Sequence, residues 1–221
     1  MTKRSVFVSK NAEELKAFAD HCTKQKTLLH AETLLEFKET KIKSIPEGYQ
    51  VVFFSSPRCV EFFLNQPLPS TMKFACIGQS TENKLKEYAY SADFVGTNSS
   101  NPRVVFQQFA TWLDHRKVLI PHGSKSKLGL LRFIPKESAY SFEVYQTLLK
   151  KTIIPKCSIY AFSSPSNVEA FFLSGNTLQD NAKIISWGKT TSNALKNKNI
   201  LPDAELKFGL EKELINIVSK L

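Results

Sequence analysis

The sequence predicts an α/β protein of two similar domains. Each is a parallel sheet flanked by helices, the two are joined by a two-stranded linker, and the first domain is discontinuous. Three observations carry this. Residues 54–60 read Phe-Ser-Ser-Pro-Arg-Cys-Val, and residues 162–168 read Phe-Ser-Ser-Pro-Ser-Asn-Val, each followed by Glu and a Phe-rich apolar tail. Downstream, Gly-Gln-Ser-Thr at 78–81 answers Gly-Lys-Thr-Thr at 188–191. Two signals repeated in order at offsets of 108 and 110 residues mark an internal duplication, one copy per domain, and the two copies are expected to face a shared cleft. Third, short apolar runs without alternation lead repeatedly into helical periodicity, the pattern of parallel sheets covered on both faces.

The elements follow in order. Residues 5–9 read as a short buried strand. Asn11 is placed to cap a helix carrying Leu15, Phe18, Ala19 and Cys22, with Glu13 and Glu14 in its first turn. Residues 27–31 form a second strand, 34–37 are extended, and 41–46 connect. The run 50–54 is a buried strand. Ser55-Ser56-Pro57 then opens a helix, with a serine cap and proline at the first helical position. A strand at 73–77 turns at Gly78 into a helix from about Ser80. Strand 92–95 leads to helix 104–113, and strand 118–120 to a polar turn, 121–124, before Leu128 to Ile134. Residues 140–148 have extended character and are expected to pair with 34–39. The pattern then restarts: strand 157–162 and helix 165–173, strand 182–187 and helix 190–197, strand 204–208 and helix 210–220.

The middle repeat holds about five strand-helix units and the C-terminal repeat only three. The N-terminal strand-helix-strand supplies the missing pieces if the chain leaves the first domain, builds the second and returns. Domain 1 is therefore expected at 1–33 and 153–221, domain 2 at 43–139, and linker strands at 34–42 and 140–152.

Composition narrows the function. Hydrophobic residues make up 42%, ample for two cores, and 8 Gly and 10 Pro argue against low complexity. No apolar run approaches the ~18 residues of a membrane span, and the N-terminus lacks a secretory apolar region. The four cysteines form no CxxC pair, which fits reduced, structural thiols in a cytoplasmic protein. The four histidines show no metal-ligand spacing, so no metal is expected. A net charge of +10 favours an anionic partner. No dense basic stripe or RNA-binding signature is present, so nucleic acid is not expected.

Parallel sheets bind ligands beyond the carboxyl ends of their strands. The repeated turns Ser55-Ser56, Gly78 to Thr81, Ser163-Ser164 and Gly188 to Thr191 all lie there and all open helices, whose free N–H groups and dipole favour anions. Ser124 and Lys125 sit in a fifth such turn, and Lys10 adds a cation after the first strand. Each of these turns also serves as an ordinary helix start. No P-loop, GxGxxG or GxSxG pattern occurs. What remains is an anion-grasping site without nucleotide, metal or covalent nucleophile.

With the repeat, the topology and these turns in hand, the chain resembles the uroporphyrinogen-III synthase family. The resemblance rests on Phe54 to Arg58, Ala75 to Thr81, Val144-Tyr145-Gln146-Thr147, Phe162 to Pro165 and Trp187 to Leu195, in family order. It implies cyclisation of the linear tetrapyrrole hydroxymethylbilane to uroporphyrinogen III, with loss of water and inversion of the last pyrrole ring, without a cofactor; a cytoplasmic monomer is expected. The substrate carries eight carboxylates, which suits the positive charge. The family's Val-Tyr-x-Thr tyrosine maps to Tyr145, the expected general acid. Carried over in the same way, Thr81 and Thr191 are expected at the cleft with Ser56 and Ser164 opposite, and Arg58 at a carboxylate; the turns themselves add Ser55, Ser163, Ser124, Lys125 and Lys10 as expected substrate contacts. Lys10 stands where family members often have Arg. Two other readings compete: a non-catalytic two-domain receptor for an anionic small molecule, and a nucleic-acid-associated protein suggested by charge alone.

Overall fold

The structure, a computed structural model, describes residues 4–42, 44–64, 71–99 and 101–221. Lys43 of the expected connector, and Met1 to Lys3, lie outside the described residues. The chain divides into two compact units, residues 1–36 with 148–221, and residues 37–147.

Unit 1 opens with β1 (Ser5–Val8), α1 (Lys16–Lys24) and β2 (Leu28–Ala31), and β3 (Leu35–Glu39) leads out of it. Unit 2 continues with β4 (Val51–Phe54), α2 (Pro57–Phe63), β5 (Lys73–Cys76), α3 (Gln79–Glu87), β6 (Phe94–Val95), α4 (Pro102–Leu113) and β7 (Val118–Gly123). The long strand β8 (Ala139–Leu149) carries the chain back. Unit 1 then closes with β9 (Ile159–Phe162), α5 (Pro165–Leu173), β10 (Lys183–Ser186), α6 (Lys189–Lys196), β11 (Ala204–Glu205) and α7 (Glu211–Val218).

The sheet of unit 1 has the order β11-β10-β9-β1-β2, and that of unit 2 the order β3-β8-β7-β4-β5-β6. All pairs in unit 1 are parallel, as are β7-β8, β4-β7, β4-β5 and β5-β6. Strands β3 and β8 run antiparallel: Lys150 N–H donates to Leu34 O (2.9 Å), and Thr40 N–H to Val144 O (3.0 Å). The two sheets share one plan, with β9-β10-β11 matching β4-β5-β6, and β1-β2 matching β7-β8.

Each sheet is apolar on both faces, which is why its strands read as unbroken apolar runs. In unit 1, Val6, Val8, Ile159, Ala161 and Ile185 pack beneath α1 and α7, while Phe7, Tyr160, Phe162 and Ile184 pack against α5 and α6. In unit 2, Val52, Phe54, Phe74 and Cys76 meet α2 and α3, while Val51, Phe53, Ala75 and Ile120 meet α4. All four cysteines are buried and free.

Several elements depart from their expected bounds. The helix expected from Asn11 begins as a 3₁₀ turn, Ala12–Glu14, and becomes α-helical only at Lys16. The reason is distant in sequence: the Glu211 carboxylate accepts from Phe18 N–H at 2.5 Å and caps α1 from the start of α7. Residues 121–123, expected in a turn, extend β7, because they pair with Pro121↔Phe142, His122↔Glu143 and Gly123↔Tyr145 of β8. The strands expected at 92–95 and 204–208 shrink to two residues each. Asp93 and Asp203 replace strand bonds with their side chains, taking Phe74 N–H (3.0 Å) and Ile184 N–H (2.8 Å).

Candidate functional site

The duplicated helix starts are built alike. Ser56 and Ser164 are extended caps, and their hydroxyls accept from Cys59 N–H (3.3 Å) and Asn167 N–H (3.2 Å). Both serve the ordinary capping role. The copies diverge at the third helical residue, Cys59 in one and Asn167 in the other. Buried Asn167 donates from Nδ2 to Ser163 Oγ and Ser164 Oγ, both at 3.1 Å, and accepts from Leu34 N–H at 2.8 Å. Ser163 also donates to Ser9 O (2.6 Å) and its N–H bonds Ser9 Oγ (2.7 Å). In unit 1, then, both serines are engaged in holding β1, β9 and α5 together.

In unit 2 the partner is a thiol, a weak hydrogen-bonding group. Ser56 Oγ lies 3.2 Å from Cys59 Sγ, and Ser55 Oγ lies 3.8 Å from it. Burial pushes this thiol up from its ordinary pKa, against the pull of both serines and Arg58, so it stays neutral. The serine hydroxyls are correspondingly less committed than their counterparts.

Tyr145 stands beside them on β8. Its ring stacks on Phe62 (centroids 5.1 Å apart) and meets Phe37 edge-on (5.8 Å). The Arg58 guanidinium lies 3.4 Å over the Phe37 ring. Burial, with Cys59 beside it, raises the Tyr145 phenol above its ordinary value, opposed by the nearby Ser56 hydroxyl and the Arg58 charge. The β7-β8 register slips between His122 and Gly123 and sets Gly123 opposite Tyr145. A Cβ at Gly123 would lie 2.4 Å from the tyrosine ring, so only glycine admits this approach. The next turn is tied down as well: Ser124 N–H donates to Tyr145 O (3.0 Å), and Ser124 Oγ accepts from Thr147 N–H (3.0 Å).

These groups enclose a pocket of about 220 Å³ lined by Ser55, Ser56, Cys59, Gly123, Lys125, Ser126, Tyr145 and Thr147. Of the residues expected at the site, it brings together Ser55, Ser56, Lys125 and Tyr145, with the Arg58 guanidinium over the neighbouring Phe37 ring and Ser124 buttressing the wall. Thr81 and Thr191 occupy the third positions of α3 and α6 but are buried. Among the described residues the Thr81 hydroxyl has no hydrogen-bond partner. Lys10 is paired with Glu14 (3.2 Å) and lies 5.5 Å over Trp187. Gly123, Phe37 and Phe62 were not among the residues expected from sequence. The first was legible as a glycine after an apolar strand, but the rings that sandwich Tyr145 depend on strand register. Among the described residues no His, Cys, Asp and Glu group is placed to hold a metal.

A model of the family described as uroporphyrinogen-III synthase HemD matches residues 6–206. The fold is similar to the crystal structure of uroporphyrinogen-III synthetase from Helicobacter pylori 26695, at a TM-score of 0.74 and 19% identity over 100% of both chains. It is also similar to that of a mutant uroporphyrinogen III synthase from the extremely thermophilic bacterium Thermus thermophilus, at 0.58 and 13% over 98% of both chains. At these identities the structural likeness speaks for the fold alone. No curated protein matches by sequence. With the family match spanning nearly the whole chain and the repeated helix starts in place, the protein belongs to the uroporphyrinogen-III synthase family.

Proposed function

We propose that Tyr145 is the proton donor with which this chain carries out its family's reaction, the closure of hydroxymethylbilane to uroporphyrinogen III. The observation that carries the proposal is the phenol in a pocket with Ser55, Ser56 and Lys125, where the Arg58 charge and the Ser56 hydroxyl act on it.

The reaction begins with loss of the terminal hydroxyl as water. The oxygen needs a proton as the carbon–oxygen bond breaks, and the pyrrole's electron pair helps expel it. A phenol whose pKa lies above 10 is fully protonated at neutral pH and so is loaded to donate. Donation leaves a phenolate. Arg58 and Ser56 stabilise that charged form, so the group that holds the proton is also equipped to lose it. The substituted carbon of the last ring then attacks through a spiro intermediate, which inverts the ring.

Unguided closure gives the uninverted ring, so most of the task is conformational. Holding the reacting atoms in place supplies up to roughly 7–11 kcal/mol, and general acid catalysis adds about 10²–10⁴-fold. A 220 Å³ pocket takes one end of the substrate rather than four rings. Lys125 and the Arg58 N–H in the first turn of α2 are suited to its carboxylates. Lys10, Ser163, Ser164, Thr81 and Thr191 are assigned a weaker part, because the serines are engaged in structure, the threonines are buried and the lysine is paired.

Tyr145→Phe removes only the hydroxyl. Turnover is expected to fall about 10²-fold with KM changed little and folding intact, measured as disappearance of hydroxymethylbilane. The tyrosine-dependent limb of the wild-type pH profile is expected above pH 10, since burial raises the phenol. An unchanged turnover rate removes Tyr145 from the chemistry. Complete loss with the fold retained would show that positioning contributes less than stated.

A further inference from the structure

Beside the tyrosine pocket, on the α4 face of the same sheet, lies a second pocket of about 450 Å³. Its walls are Phe53, Ile77, Phe106, Ile120, Leu128 and Leu130. Ser55 and Ser126 line both pockets, so the two adjoin at the carboxyl ends of β4 and β7. Lys127 and Arg132 line the apolar pocket, and Arg132 also lines a third hollow with Arg103. Among the described residues, no carboxylate lines any of the three. Among the described residues, too, Arg103, Lys127 and Arg132 form no ion pair.

Two features set this pocket apart from an ordinary packing gap. Leu128 has φ +46°, the left-handed region, which a branched side chain rarely adopts. That conformation opens the 3₁₀ turn Gly129–Arg132, whose residues line one side of the pocket. A Cβ at Gly129 would come within 3.0 Å of the Phe106 ring, so the turn is seated directly on an aromatic wall.

We infer that this pocket is a specificity subsite that takes one pyrrole ring of the substrate, with the ring's two carboxylate side chains held by Lys127 and Arg132. The inference rests on the assignment of hydroxymethylbilane as substrate. Eight carboxylates on four rings give two per ring. A flat, apolar ring edged by two anions is complementary to a slot of aromatic and aliphatic walls with two unpaired cations at its rim. Its volume is in the range of small-molecule sites. Because the pocket adjoins Tyr145, a ring seated here fixes how the rest of the chain approaches the proton donor.

The test is the double charge reversal Lys127→Glu/Arg132→Glu, compared with Lys196→Glu/Lys198→Glu, which changes net charge equally on unit 1. The four side chains are exposed, so folding is retained. The pocket variant is expected to raise KM for hydroxymethylbilane at least tenfold with kcat within about threefold, and the control to change KM less than threefold. Equal changes in the two variants, or none in the first, overturn the subsite. A single pyrrole bearing two carboxylate side chains supplies the direct measurement. It is expected to shift the methyl resonances of Ile120, Leu128 and Leu130 in the wild type and not in the pocket variant. No shift in the wild type overturns the subsite even if cyclisation is observed. A shift without cyclisation upholds the subsite while removing the assigned reaction.

Discussion

At the scale of single residues, one difference between the repeats sets how their serines are engaged. Cys59 and Asn167 hold the same position after the same Ser-Ser-Pro, yet the amide binds both of its serines and the thiol leaves its serines beside Tyr145. The repeat itself was plain in the sequence. That the mismatched residue matters was not, because it depends on what lies across from it. Tyr145 was reached by resemblance, whereas its partners Phe37, Phe62 and Gly123 come from different strands and turns and have no shared sequence signal. Gly123 carries a direct consequence. Gly123→Ala places a methyl carbon 2.4 Å from the tyrosine ring. Overpacking of this kind costs about 1–3 kcal/mol, so the melting temperature is expected to fall by several degrees in a scanning calorimeter. Turnover is expected to fall with it, because the ring must move away from Ser56 and Arg58. Full activity at an unchanged melting temperature would mean that the ring is not held as described.

At the scale of elements, strands and helices were legible from apolar runs and caps, and their ends were not. The ends that shifted are those set by distant partners: Glu211 capping α1, β8 extending β7, and an aspartate shortening β6 and β11. The aspartates form a second duplicated device that sequence inspection passed over. Lys73 pairs with Asp93 at 3.0 Å and Lys183 with Asp203 at 2.8 Å, each aspartate also taking the N–H of the residue after its lysine. Burial raises each carboxyl, but the lysine and backbone bonds outweigh it and leave both below 3.8. A carboxylate with a lowered folded pKa stabilises the fold at pH values above its unfolded pKa, and that contribution is lost as the pH falls through the folded value. Asp203→Ala leaves the buried Ile184 N–H without its acceptor, at a cost of about 1–3 kcal/mol. Denaturant midpoints are therefore expected to separate wild type and variant at pH 7 and to converge toward pH 3. A separation that persists undiminished at pH 3 contradicts this role for the carboxylate.

At the scale of the whole molecule, the duplication gives two units of one plan, and the second holds Tyr145, its pocket and the adjoining pocket lined by Lys127 and Arg132. The early split of unit 1, with β1 and β2 at the start of the chain and β9 to β11 at its end, was legible because three strand-helix units are too few for such a sheet. The serines and threonines of the two copies read alike in the sequence, and only the structure shows that the serines of unit 1 are tied down by Asn167. The net charge of +10 suits a substrate with eight carboxylates. What the protein must impose is the direction of ring closure, since the hydroxymethyl carbon reacts unaided once its oxygen leaves. The most direct measurement is therefore chromatographic separation of the uroporphyrinogen isomers formed when the purified protein meets hydroxymethylbilane. The inverted isomer, in excess over a protein-free control, is the expected result. Formation of the uninverted isomer alone, at the rate of the control, would contradict the account.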